Sequence, residues 1–228
     1  MNVPDTTEFR RGARAVLPLV PAIGGFGLVV GVAAGNAGFS LAQAVGLSVF
    51  VFAGASQLAT IELVDAGSPV AVVVLTAVVI NLRMMMYSAS IASYFDALAE
   101  RWRAGIAYLL TDQAYALSIS HYGDDPPSDP RGYYLGVALP LWIVWQIATV
   151  AGLLAGAGIP DEWGVTFAVP LVFLALLVPA MKDRPSTLAA AVGGGVAALG
   201  AGLPLNLGLL LGAVLGVTAA LTIGGGDA

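Results

Sequence analysis

The chain is a succession of apolar runs, most of them about twenty residues long, parted by short polar breaks. An α-helix crosses the hydrocarbon layer of a bilayer in about 20 residues. Lipid offers peptide groups no water, so a segment lying in it must satisfy its backbone hydrogen bonds internally. Composition agrees: 58% of the residues are hydrophobic and only 10% are charged, where a soluble domain carries roughly 25% charged. A water-soluble globule so poor in charge could not cover its own surface. The expected fold is all-α, a polytopic integral membrane helical bundle of about eight transmembrane helices.

The expected spans are residues 17–36, 41–64, 69–93, 105–121, 132–158, 164–181, 187–201 and 204–223. The run 94–103 mixes Tyr94, Phe95 and Trp102 with Asp96, Glu100, Arg101 and Arg103, a composition that suits the headgroup layer. Arg10, Arg11 and Arg14 precede the first span as they would a secretory signal, but the apolar stretch is too long for one, so it reads as an uncleaved span. The last two spans are so rich in Gly, Ala and Leu that they predict close helix packing.

The loop 122–131, with three aspartates and three prolines, divides a single membrane domain. Residues 1–14 form the N-terminal segment, 15–121 the first half and 132–228 the second. A faint echo between Ala34-Gly35-Asn36-Ala37-Gly38-Phe39 and Leu154-Ala155-Gly156-Ala157-Gly158-Ile159 raises the idea of an internal repeat of two four-helix halves; chance similarity between Gly/Ala-rich helices is the alternative. With eight spans and a cytoplasmic N-terminus, six basic residues fall inside, two fall outside and Arg83 lies within a span. Both termini are therefore expected in the cytoplasm, on a multi-pass protein of the cytoplasmic membrane.

Polar groups within apolar spans carry the functional information, because a charge there costs several kcal/mol unless paired or hydrated. Arg83 is such a charge, and Tyr87 and Ser90 share its helical face. It either anchors a carboxylate of a substrate or locks two helices through an ion pair. Asp112 is its natural partner, with Tyr108 and Tyr115 on the same face by helical spacing; it can accept an amine, carry a proton or neutralise Arg83. In span two, Gly54 permits a helix break whose freed backbone groups can ligate a zwitterion, flanked by Ser56 and Gln57; a glycine packing seam is the plainer reading. Asn81 stands two positions before Arg83. The substrate-binding candidates are thus Gly54, Ser56, Gln57, Asn81, Arg83 and Asp112.

Other chemistries find little support. Cysteine is absent, so disulfides and thiolate chemistry are excluded. The lone His121 has no ligand companions and reads as an interfacial histidine, so no metal is expected. Gly24-Gly25-Phe26-Gly27 lacks the strand that a nucleotide loop requires, so no cofactor is expected. Trp142 and Trp145 read as packing or interface residues. No catalytic motif appears, so no catalytic residue is assigned and the chain is not read as an enzyme. No basic patch suits nucleic acid.

Taken together, several motifs resemble the AzlC family, the large subunit of two-component branched-chain amino acid exporters of the LIV-E type. They are Phe26-Gly27-Leu28 with Gly31, Phe52-Ala53-Gly54-Ala55-Ser56-Gln57, Asn81-Leu82-Arg83, Leu110-Thr111-Asp112 and Leu177-Val178-Pro179. The resemblance implies secondary transport of Leu, Ile or Val, outward and proton-driven, with a small AzlD-like membrane subunit as partner. Met84, Gln113 and Thr166 stand where members of the family often carry titratable side chains. Asp112 is left as the main candidate proton site within the spans. The alternatives are a non-transporting scaffold or assembly subunit, or an importer of a different small zwitterion.

Overall fold

The computed structural model describes residues 4–124, 129–156, 181, 183–203 and 207–224. Expectations about residues 157–180 and Lys182, which include most of span six, Thr166 and Leu177-Val178-Pro179, lie outside them. The described residues are helical and contain no strand. Three helical stretches among them are long and apolar enough to cross a membrane: Thr6–Asn36, Val70–Phe95 and Pro130–Gly156.

The first begins earlier than the apolar run suggests. Helix α1 (Thr6–Val16) is capped by Asp5, whose carboxylate accepts from the Thr7 N–H at 2.8 Å. Pro18 and Pro21 remove two backbone donors, and the chain tightens into a 3₁₀ turn (Leu17–Leu19) before α2 (Val20–Asn36). Gly38, at φ 74°, supplies the left-handed turn into the next helix. Span two is two helices, α3 (Leu41–Phe50) and α4 (Gly54–Asp65), interrupted at residues 51–53. Span three is α5 (Val70–Ile91), prolonged by a 3₁₀ turn (Ala92–Phe95). The fourth segment is also broken, into α6 (Glu100–Tyr108) and α7 (Asp112–Asp124).

Helix α8 (Pro130–Gly156) starts inside the expected loop, because proline is well tolerated in a first helical turn, where no N–H partner exists to be lost. Helices α9 (Arg184–Leu199) and α10 (Leu207–Gly224) follow.

The chain forms two compact units, 1–58 with 77–159, and 59–76 with 160–228. In the first, α1 and α2 run alongside α8 in the same direction. Glycines make the approach close enough for backbone to touch backbone. Gly12 lies against the Tyr133 carbonyl, Gly136 against that of Phe9, Gly31 against that of Thr149 and Gly152 against that of Leu28. A Cβ at any of these four would overlap the facing carbonyl. Small residues perform this role in membranes, where no hydrophobic force drives helices together and dispersion must. At one end of this unit Phe95, Ile106, Tyr122, Tyr134 and Val137 build an apolar core. Two of its three buried phenols donate to a carbonyl, Tyr122 to Pro130 at 2.7 Å and Tyr134 to Ile106 at 2.9 Å. In the second unit, Gly193 and Gly200 of α9 face Gly212 and Gly208 of α10, which is the close packing that the glycine content predicts.

Asp129 fastens the start of α8. Its carboxylate is clasped by the Arg131 guanidinium at 2.8 and 2.9 Å and accepts the Asp5 N–H at 3.3 Å. Burial alone would raise its pKa, but hydrogen bonds from the Arg131 side chain and from the backbone N–H groups of Arg131 and Asp5 prevail and hold it below the usual carboxylate value. A depressed carboxylate stabilises the fold fully at neutral pH and loses that contribution as pH falls through its folded value. Asp129→Asn should therefore lower the melting temperature in detergent at pH 7, with the deficit shrinking on acidification toward the carboxylate range. Gly152→Val should lower it more, since overpacking costs about 1–3 kcal/mol even where backbone is not struck. Gly25→Ala, with open space around its Cβ, should leave it unchanged or raise it.

Candidate functional site

Both interruptions leave helix ends inside apolar segments, and the two are resolved differently. At the first, α3 ends with carbonyls that α4 does not reach. Gln57, fully buried, donates to the Val51 carbonyl at 2.6 Å and the Leu47 carbonyl at 3.4 Å, and its own oxygen accepts from the Trp145 indole at 3.2 Å. Tyr108 donates to the Val49 carbonyl at 2.9 Å, and Gln146 to that of Ser48 at 3.3 Å. Gly54 is small because it must be: a Cβ would stand 2.6 Å from the Trp145 ring and 2.7 Å from that of Phe26. The two rings meet edge to face at 5.4 Å. The carbonyls of Leu47, Ser48, Val49 and Val51 are thus each met by a side chain.

The second break is polar and open. Thr111 Oγ1 accepts from the Ala114 N–H at 3.2 Å, which makes Thr111 the cap of α7 and places Asp112 in its first turn. The positive end of the helix dipole favours a carboxylate there. Arg83 of α5 reaches it, Nη2 to Oδ2, at 3.1 Å. Their side chains remain 34% and 36% exposed, so the pair can be reached from outside the protein. Arg83 Nε, Asp112 Oδ1 and Asn81 Oδ1 are buried atoms without a short hydrogen bond among the described residues, although the Tyr87 side chain lies within hydrogen-bonding reach of the Asp112 carboxylate. Each such atom carries a desolvation penalty of about 1–3 kcal/mol until a partner arrives. Beside the pair, Tyr87 stacks on Tyr115 at 4.5 Å, and Tyr115 Oη meets Ser90 Oγ at 2.9 Å.

The six candidates thus fall into separate roles. Arg83 and Asp112 meet. Ser56 and Asn81 meet elsewhere, Asn81 Nδ2 donating to Ser56 Oγ at 3.2 Å and Ser56 Oγ donating to the Ala77 carbonyl at 3.4 Å. Asn81 and Arg83, two positions apart on a helix, point in nearly opposite directions. Gln57 and Gly54 hold the first break.

Tyr108 does not share a face with Asp112, because the chain leaves the helix between them; its hydroxyl is spent on α3 and accepts from the Trp142 indole at 3.0 Å. Gln146 and Thr111 hold positions at the two breaks that spacing alone did not single out, while Trp145 packs as its reading implied. Thr111-Asp112 is itself a helix-start signature, and only its position amid an apolar run hid it.

His121 stands in the last turn of α7. Its side chain is 13% exposed, with Nε2 3.2 Å from Glu8 Oε2. Among the described residues no group of three or more His, Cys, Asp or Glu gathers as a metal site would need.

The sequence model of a family described as "AzlC protein" matches residues 18–159. The Inner membrane protein YgaZ of Escherichia coli K12 is 25% identical over 96% of this chain and 91% of its own. An "Uncharacterized membrane protein" of Archaeoglobus fulgidus is 33% identical over 87% of this chain and 86% of its own. Another so named, from Helicobacter pylori J99, is 25% identical over 68% of each. No solved structure matches.

If Gln57 holds the break, Gln57→Leu strands two carbonyls and an indole and should cost about 1–3 kcal/mol for a group left unsatisfied. Thermal unfolding in detergent should show the loss, and Gln57→Glu, which sets an acceptor-only buried carboxylate against the Val51 carbonyl, should lose at least as much.

Proposed function

The chain belongs to the AzlC family and is a membrane protein with a transport-related role; from that premise we propose that it is a secondary transporter subunit carrying branched-chain amino acids outward across the cytoplasmic membrane. The reading includes a small AzlD-like membrane subunit as partner and cytoplasmic termini.

The observation that carries it is the half-open Arg83–Asp112 pair with two unmet atoms of its own, Nε and Oδ1. A zwitterion answers that arrangement chemically. Its carboxylate takes the guanidinium, its ammonium takes the carboxylate, and the site stays neutral overall. An amine or an acid alone would leave one charge uncompensated in a dry segment, which costs several kcal/mol. The aliphatic side chain then needs only apolar walls, and such walls separate neighbouring homologues by about 1–3 kcal/mol. Selectivity among Leu, Ile and Val should be loose.

The test is efflux from cells preloaded with leucine or valine, with the small subunit co-expressed. Arg83→Ala should cut efflux by about tenfold or more, because a charge-assisted hydrogen bond is worth about 1.5–3 kcal/mol. Arg83→Lys should retain part of it, lacking the planar fork. Undiminished efflux in Arg83→Ala removes the site from the mechanism.

A further inference from the structure

Helix α7 is a short rod held at both ends by ionisable side chains on different helices. At its first turn Asp112 meets Arg83 of α5. In its last turn His121 meets Glu8 of α1. The two residues are nine positions apart on one helix, about 13.5 Å along its axis at 1.5 Å per residue. Because the chain is non-helical at residues 109–111, α7 is not continuous with α6 and can tilt independently of it.

The second contact is built to respond to pH. Glu8 is nine-tenths buried, and its oxygens are divided: Oε2 faces His121 Nε2 at 3.2 Å and Oε1 faces the Arg11 guanidinium at 3.2 Å. From α8 the Tyr133 ring stacks on the imidazole at 3.9 Å and 19°. Beside His121 on α7, the Tyr122 ring lies 6.2 Å away. Tyr94 covers Tyr122 from the 3₁₀ turn after α5, and Asp129, bound to Arg131, lies toward the start of α8. Imidazole is the side chain whose charge ordinarily changes between about pH 5 and 8.

Protonated, it is tied to Glu8 by an ion pair and to the Tyr133 face by a cation–π contact. Neutral, it retains a hydrogen bond at most. Losing that proton leaves no orphan charge behind, because Arg11 still neutralises Glu8. The switch therefore avoids the penalty of leaving a buried charge uncompensated.

We propose that Glu8 and His121 form a pH-sensitive latch that fixes α7 to α1 in acid and releases it toward alkaline pH, and so governs access to the Arg83–Asp112 pair at the helix's other end. This is regulation of the transport site, and it rests on that reading only for its biological use. The motion itself is measurable without transport.

The chain has no cysteine, so Leu110→Cys, a buried position in the break, makes a single reporter. Its alkylation rate is measured in membrane vesicles between pH 5.5 and 8 with a neutral maleimide. Each rate is divided by the rate in the same reporter carrying His121→Asn, which cancels the thiol's own titration. With His121 present, labelling should be slower in acid by roughly fivefold or more, the lower end of coupling between linked sites, and the ratio should approach one by pH 8. Glu8→Gln keeps an acceptor but not the charge, and should flatten the profile as His121→Asn does even if one of the two variants folds poorly. Persistence of the profile in Asp112→Asn assigns it to the latch rather than to Asp112. A ratio that does not change with pH, or a profile that survives Glu8→Gln, overturns the latch. Loss of leucine efflux in Arg83→Ala is a separate result, so either reading can fail alone.

Discussion

A helix broken inside lipid must find new partners for the backbone groups it frees, and the first unit is organised around that obligation. Two segments are broken, at residues 51–53 and 109–111. The first break is repaid by side chains from three other helices. Gln57 of α4, Tyr108 of α6 and Gln146 of α8 donate to the carbonyls of Leu47, Ser48, Val49 and Val51. The second is met by a threonine cap and by a charge pair with unmet valence. The difference divides scaffold from site: the first break has its freed carbonyls taken by neutral side chains and is walled by Trp145 and Phe26, whereas the second presents a half-exposed charge pair that a ligand can reach.

The glycine seam is what makes the first repair geometrically feasible. Because Gly27, Gly31 and Gly152 let α2 and α8 approach to backbone contact, Trp145 comes near enough to Gly54 and Gln57 to wedge the break open. Phe26, one position before Gly27, completes the wedge. Sequence, packing and site are linked through residues without side chains. An added methyl group at the seam would act on the first break without touching it.

Much of this was legible in the sequence, and the reasons for the rest are physical. Apolar run length identified the membrane helices, since lipid thickness is a constraint any sequence must obey. Arg83 with Asp112 as a pair follows from the cost of a charge in hydrocarbon; Gly54 reads either as a break or, more plainly, as a packing seam, and in the structure it is both, opening α4 while pressed against the Trp145 and Phe26 rings. The break before Asp112 was not legible, because periodicity extends a helix through any residues that do not forbid it, and Leu109-Leu110-Thr111 forbid nothing. For the same reason Tyr108 was assigned to the wrong face. The burial of His121 is not legible in the sequence because its partner, Glu8, lies 113 positions away on α1. The early start of α1 followed from a polar, amphipathic segment that a search for apolar runs passes over.

The central claim is that the Arg83–Asp112 pair recognises a molecule carrying both charges. Equilibrium binding to the purified protein in lipid nanodiscs, with its small subunit, tests it directly when leucine is compared with the amine lacking its carboxylate and the acid lacking its ammonium. Leucine should bind, and each half-molecule should bind at least about tenfold more weakly, since one charge of the pair is left unanswered. Equal binding of either half-molecule would contradict the account.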